Sequence, residues 1–321
     1  MWAYQLSGPC RLERVDVERP LAEDLAEDEV LLRTLAGGVC GSDLPKFRGG
    51  KGAVITPDGG WQAGRPGFPM HEVVGEVVAS RHRAVAVGSR AVGWAVRSDA
   101  LAEFVTTDGN QLQAVPPGLR PEQAVLIQSL ACVWYAVEGL PVAGARVAVV
   151  GLGAMGLLLA RILKERGAAE VIGVDPVDRT PVAHLFGLDR VVVAPSGPWS
   201  ASLADRDRPA IVVEAVGHQV GTLQHAIDAC AVGGQIVCFG IPDDEYYPLD
   251  MERLMRKNLT LCGRVTRRRR EMLACGAQYL LDSPELFENL VTHEVPVADV
   301  QRAFTLALDP AARLKVVVRM G

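Results

Sequence analysis

The stretch Arg146-Val147-Ala148-Val149-Val150-Gly151-Leu152-Gly153-Ala154-Met155-Gly156 decides how this chain is organised. Five strand-forming residues run straight into a Gly-x-Gly-x-x-Gly turn, and the periodicity of Ala154 to Arg166 predicts a helix immediately after it. Gly151, Gly153 and Gly156 permit a tight turn, the close approach of a pyrophosphate and the packing of helix on strand. The helix N-terminus, opening with Ala154 and Met155, offers free amides and the positive end of a dipole to phosphates. An acidic residue, Asp175, ends the next expected strand, Glu170 to Asp175, where a carboxylate can bind the adenosine ribose hydroxyls. The stretch therefore reads as a dinucleotide-binding turn. Asp175 would repel a 2′-phosphate and so favours NAD; Arg179, four residues on, is the argument for NADP.

Working outward, further strands near Arg190 to Val193, Ala210 to Ala215, Gly234 to Gly240 and Leu259 to Gly263 alternate with helical segments. Such alternation predicts an α/β domain, a doubly wound parallel sheet with helices on both faces. The first hundred or so residues instead read as short strands, from Trp2, Leu12, Glu29, Val73 and Ala91. Between them Arg48 to Pro69, rich in Gly and Pro, reads as a long loop suspected of function. A helix from Pro121 toward Val137 connects the halves, and the tail from Leu290 to Met320 returns to strand, helix and strand. The expected division is a parallel-sheet domain over 126–284 and a β-rich domain made of 1–125 and 285–321.

Composition narrows the function classes. With 321 residues, 49% hydrophobic and 22% charged, the chain is long enough for two globular domains. A net charge of −5 gives no global pull toward nucleic acid or an anionic membrane. The apolar run Val147 to Ala160 falls well short of the ~20 residues needed to span a bilayer. The start Met-Trp-Ala-Tyr-Gln lacks a secretory signature, so a cytoplasmic protein is expected. Seven scattered cysteines without a Cys-x-x-Cys pair read as thiols in a reducing compartment.

Two short segments carry candidate chemistry: Gly38-Val-Cys40-Gly-Ser42-Asp43 and Met70-His71-Glu72. A thiolate, an imidazole and a carboxylate are what Zn²⁺ takes in a catalytic site. Separately, Cys40 reads equally as a buried thiol and His71 as a turn residue. In order along the chain, these segments are followed by His71-Glu72-Val-Val-Gly75-Glu-Val77, the glycine-rich turn, Val213-Glu-Ala-Val-Gly217, Gly233-Gly234-Gln-Ile-Val-Cys-Phe-Gly240 and Leu314-Lys315-Val-Val. The arrangement resembles the medium-chain dehydrogenase/reductase superfamily, in its zinc-dependent alcohol and polyol dehydrogenase branch, over essentially the whole chain. The resemblance implies a discontinuous GroES-like catalytic domain around a Rossmann domain, and a homodimer or homotetramer acting on a small alcohol or ketone.

It also implies roles for individual residues. Cys40 and His71 would be zinc ligands, and Glu72 would ligate directly or in exchange with water. Ser42 would pass the alcohol proton onward and Asp43 would hydrogen-bond the ligand histidine, fixing its tautomer. In the implied chemistry Zn²⁺ lowers the alcohol's pKa and hydride passes to the nicotinamide. Because the ligands must be deprotonated, activity should fall at acid pH. Backbone near Val216, Gly240 and Ile241 would touch the cofactor.

Four departures mark this chain. Val92 to Val96 runs almost at once into Leu101 to Val105, leaving no room for the structural-zinc lobe, so one catalytic zinc and no structural zinc is expected. Gln128 stands at the position of a further acidic or Cys ligand; a neutral amide is a poor zinc ligand, which puts weight on Glu72, or on Cys132 one turn away. Met70 replaces the usual Gly, and Pro45 replaces a relay His, so protons would leave from Ser42 through ribose hydroxyls or water. Arg267 to Arg270 reads either as a solvated helix start or, by the family's layout, as arginines facing the nicotinamide and an anionic or hydroxylated substrate. His82, His184, His218, His225 and His293 lack partners at ligand spacing and read as structural or surface residues. The leading expectation is an NAD-dependent, zinc-assisted dehydrogenase of a secondary or polyol-like alcohol. The alternatives are a zinc-free NADPH-dependent quinone or enoyl reductase, which Asp175 and the joint presence of Cys40 and His71 oppose, and a non-catalytic nucleotide-binding protein on a decayed scaffold.

Overall fold

A computed structural model describes residues 1–50, 54–55, 61–62 and 64–321. The chain forms two compact units, one of Met1–Ala131 with Arg267–Gly321 and one of Cys132–Thr266. The expected boundaries thus move inward at the C-terminal side, because the helix Arg269–Asp282 joins the first unit. Its Gly276 abuts the Ile127 carbonyl so closely that a Cβ would stand 2.7 Å from the oxygen, and its Arg269 guanidinium lies 4.8 Å over the Trp94 ring. An element packed this way is invisible to a reading that follows strand-helix alternation alone.

The second unit is a six-stranded parallel sheet in the order Arg190–Val193, Glu170–Asp175, Arg146–Val150, Ile211–Glu214, Gln235–Cys238, Thr260–Gly263. Its central strands are continuous apolar runs because helices cover both faces; Val147, Ala148, Val149, Val212 and Val213 are wholly buried. The chain leaves Arg146–Val150 toward one edge, then returns to Ile211–Glu214 on its other side. This reversal is the topological switch point at whose carboxyl ends open α/β sheets bind ligands. The helix Ala154–Glu165 buries Leu157, Leu158, Leu159, Ile162 and Leu163.

The first unit carries a seven-stranded sheet: Val291–Pro296, Lys315–Arg319, Glu29–Val39, Glu72–Ser80, Arg90–Trp94 and Leu112–Ala114 in order, with Phe104–Asp108 also paired to Glu29–Val39. The C-terminal strand Lys315–Arg319 lies antiparallel to Glu29–Val39, with Val316 opposite Val39, so the tail completes the N-terminal sheet as expected. Trp2–Gly8 and Arg11–Asp16 form a separate antiparallel pair. The core joins both ends of the chain: the Phe47 and Phe304 rings pack at a tilt of 46° with centroids 5.0 Å apart among Leu6, Leu32, Met70, Leu101 and Val318. Of the expected loop from 48 to 69, residues 51–53, 56–60 and 63 lie outside the described residues, and Val54–Ile55 pairs with Trp61–Gln62.

Among the described residues no helix is long and apolar enough to cross a membrane, and all seven cysteines are free thiols. Burial pushes the Cys238 thiol up to about 12, with Glu214 and Cys262 adding to the effect. Burial also takes Cys230 to about 11 against the opposing charges of Lys257 and Arg208. Cys10 and Cys275 are exposed. At pH 8 the folded chain should therefore alkylate at Cys10 and Cys275, while Cys230 and Cys238 react roughly 100-fold or more slowly than in denaturant, since only the thiolate attacks. Peptide mapping after timed iodoacetamide treatment checks this; rapid native labelling of Cys238 contradicts it.

Candidate active site

In the first unit, strand Glu29–Val39 ends against a one-turn 3₁₀ helix, Gly41–Asp43, followed by the helical turn Leu44–Phe47. Asp43 is wholly buried there. Its Oδ2 accepts from the Cys40 amide at 3.0 Å, and its Oδ1 accepts from His71 Nδ1 at 2.7 Å. With Nδ1 engaged, Nε2 is the ring nitrogen left to ligate a metal. Burial works against a charged His71, but Asp43 and then Cys40 outweigh it and hold the imidazole well above its ordinary value. Ser42 Oγ donates to Cys40 Sγ at 3.4 Å, so the expected proton-passing hydroxyl sits beside the expected ligand sulfur.

Ligand atoms of Cys40, His71 and Glu72 all lie within 4.8 Å of one another, and this is the cluster of such donors found among the described residues. Cys132 stands outside it. Glu72 begins the strand Glu72–Ser80, buried to 1% exposure, and its Oε1 accepts from Lys315 Nζ at 2.6 Å. Its Oε2 is buried with no hydrogen-bond partner. Room for that oxygen comes from Gly38, where a Cβ would run into Oε2 and also into Val125 of the helix Pro121–Val137. Gln128 lies one turn beyond Val125 on the same helix and is buried, but makes no side-chain hydrogen bond among the described residues. A buried, unpartnered carboxylate oxygen costs free energy unless something meets it. Set among a thiol and an imidazole, it fits a divalent ion of the zinc type, which accepts S, N and O donors together. Met70 is also explained: it is wholly buried, and its side-chain end occupies the space left open by Gly37.

Lys315 is the residue that sequence reasoning missed. It appeared there only as part of a C-terminal landmark, although a lysine opening the otherwise apolar strand Lys315–Arg319 is itself a signal. Burial opposes its charge, but Glu72, Cys40 and Asp43 outweigh that and hold the ammonium above the ordinary lysine value.

In the second unit, Gly151 takes φ +93° and Gly156 packs so tightly that a Cβ would overlap the Gly151 carbonyl oxygen. Asp175 is tied into this turn: Oδ2 accepts from the Leu152 amide at 2.6 Å and Oδ1 from the Val177 amide at 2.8 Å. It shapes the glycine turn as well as marking the strand end. Arg179, buried, has its proton affinity lowered by burial with Asp175 opposing the shift. Val216 lies against Gly151, and the backbones of Gly217 and Gly240–Ile241 come together at the same sheet end. Glu214 holds that crossing by accepting from Val216 N, Gly217 N and Thr222 Oγ1 at 2.9, 3.0 and 2.9 Å. The predicted dinucleotide residues Gly151, Gly153, Ala154, Met155, Gly156, Asp175, Val216, Gly240 and Ile241 therefore gather at the carboxyl ends of adjacent strands.

The arginine run is largely engaged within its own unit. Arg268 pairs with Glu271 at 2.9 Å, Arg269 covers Trp94 and donates to Gln111, and Arg270 reaches His82 Nδ1 at 3.3 Å. Arg267 is exposed. His82 also meets Asn110, His225 meets Ser196 and His218 meets Asp243, each in a local hydrogen bond outside the three-donor cluster.

Residues 26–117 match the alcohol dehydrogenase GroES-like domain and residues 154–281 match the zinc-binding dehydrogenase family. The chain is 25% identical to L-threonine 3-dehydrogenase of Caldanaerobacter subterraneus subsp. tengcongensis, covering 92% of this chain and 93% of that protein. It is 26% identical to (R,R)-butanediol dehydrogenase of Bacillus subtilis, covering 94% and 95%. It superposes on the solved structure of alcohol dehydrogenase TADH from Thermus sp. ATN1 with a TM-score of 0.81 at 22% identity, over 100% of both chains, a likeness of fold. Both halves being matched, in the order in which the donor cluster and the glycine turn occur, the chain belongs to the zinc-dependent medium-chain dehydrogenase/reductase superfamily.

Proposed function

We propose that this NAD(P)-dependent alcohol dehydrogenase uses NAD and one zinc ion to interconvert a secondary or polyol-like alcohol and its ketone. The observation that carries the reading is the three-donor cluster of Cys40, His71 and Glu72, with one buried carboxylate oxygen left unpartnered. When bound, zinc polarises the substrate oxygen as a Lewis acid and the nicotinamide accepts hydride. The rest falls to this chain's side chains. Asp43 holds His71 and the Cys40 backbone in register, so the donor atoms are set before a ligand arrives. Ser42, partly exposed, takes the hydroxyl proton at its Oγ and passes it toward solvent; Pro45 has no side chain that could carry it further. Asp175 supports the preference for NAD, since its carboxylate at the strand end would meet a 2′-phosphate. An L-threonine and a (R,R)-butanediol dehydrogenase among the relatives both support a secondary alcohol as the reacting group.

The direct experiment follows absorbance at 340 nm with secondary alcohols, polyols and acidic sugars, using NAD and NADP, with and without a chelator. Turnover with NAD that a chelator abolishes and zinc restores is the expected result; chelator-resistant turnover with NADPH on activated double bonds contradicts the reading. Cys40→Ser should lose bound zinc and lower kcat/KM on the order of 10³-fold, as expected for losing several kcal/mol of charge stabilisation. Ser42→Ala should retain zinc and lower kcat about 10²-fold, the usual scale of a positioned proton acceptor. Zinc content and steady-state kinetics on the same preparations separate the two. Asp175→Ala should raise the KM for NAD while improving relative use of NADP, read from paired titrations with both nucleotides.

A further inference from the structure

The buried ion pair between Glu72 and Lys315 joins residues 243 positions apart and is nearly closed to solvent, at 1% and 4% side-chain exposure. A pair of this kind costs desolvation on both partners and contributes little net stability compared with apolar residues. Its geometry is one-sided. Lys315 occupies Oε1 only, while Oε2, in the gap left by Gly38, has no partner. Val316 pairs with Val39, so Lys315 enters the sheet beside Cys40. Charge points the same way. Cys40 as a thiolate, Glu72 and Asp43 bring three negative charges to one buried spot, and Lys315 with a divalent cation would balance all three.

We infer that Lys315 is a positioning residue of the metal centre: it holds Glu72 by one carboxylate oxygen so that the other remains available to the ion beside Cys40 and His71. The inference rests on the zinc reading above and assigns a role to a residue that touches neither substrate nor cofactor in that reading. The direct contact of Lys315 is with Glu72, so most of its effect on metal binding should be lost when Glu72 is replaced. An outer partner of a ligand typically accounts for 10–100-fold in metal affinity.

The test is a double-mutant cycle on the full chain, with Zn²⁺ affinity measured by chelator competition and ligand geometry by the visible spectrum of the Co²⁺ form. Lys315→Met should weaken Zn²⁺ binding 10–100-fold and alter the Co²⁺ bands, with NADH binding unchanged. Adding Lys315→Met to Glu72→Gln should change affinity by less than about 3-fold, the two losses being one and the same. Equal losses in both backgrounds, or wild-type affinity and spectrum in Lys315→Met, overturn the inference. Failure of the unsubstituted chain to bind Zn²⁺ overturns the zinc reading instead. If Lys315→Met does not fold, ¹⁵N-lysine NMR of the unsubstituted protein decides: the proposal expects a slowly exchanging Nζ signal that persists on Zn²⁺ loading, and its loss on loading refutes it.

Discussion

Everything at the first unit's site depends on a single buried carboxylate. Asp43 has two oxygens and gives one to each of two elements: the amide of Cys40, at the end of a strand, and the ring of His71, just before another. An ionised carboxylate in a low-dielectric interior is tolerated only when its lone pairs are taken, so satisfying Asp43 and aligning the two candidate ligands are one requirement. The one-turn helix Gly41–Asp43 sets the reach, because it brings the carboxylate back over the Cys40 amide while directing its other oxygen at His71. Loss of that carboxylate would free the imidazole to rotate and the Cys40 backbone to shift.

Around this point the sheet solves a second problem, how to bury acids without enough hydrogen-bond donors. Glu72 and Lys315 meet from strands on either side of Glu29–Val39, and the paired glycines Gly37 and Gly38 leave the space that Met70 and Glu72 fill. The remaining Glu72 oxygen is left without a donor. Native interiors rarely leave such an atom without purpose. Its neighbours here are sulfur and nitrogen ligand atoms, and the chemistry of that set is the chemistry of a borderline divalent ion. Gln128, an amide, adds no charge to the donors Cys40, His71 and Glu72.

The second unit uses the same economy in a different form. Asp175 ends its strand and binds two backbone amides, one inside the glycine turn. Glu214 does likewise for the Val216–Gly217 crossing. In both places a carboxylate at the carboxyl end of a parallel strand locks an adjacent loop through its backbone amides. The glycines are required where contact is closest, at Gly156 against Gly151 and at Gly217 against Gly240.

Local pattern made much of this legible. The run from Arg146 to Gly156 declares a strand, a turn that only glycine permits and a helix, because period and backbone freedom are properties of neighbouring residues. The six parallel strands and the tail's strand, helix and strand could be read in the same way, whereas the Cys40, Ser42, Asp43 and His71-Glu72 segments took their meaning from their order along the chain and the family it resembles. What tertiary structure alone decided involves residues far apart in the chain. The helix Arg269–Asp282 joins the first unit because Gly276 fits against Ile127 and Arg269 covers Trp94. Arg269 and Arg270 are engaged by Gln111 and His82, far away in the chain, rather than left as part of a free cationic patch. Lys315 meets Glu72 across 243 positions. Strand periodicity places a side chain on a face, but which charge it meets there depends on sheet order and register, and these are set by long-range packing.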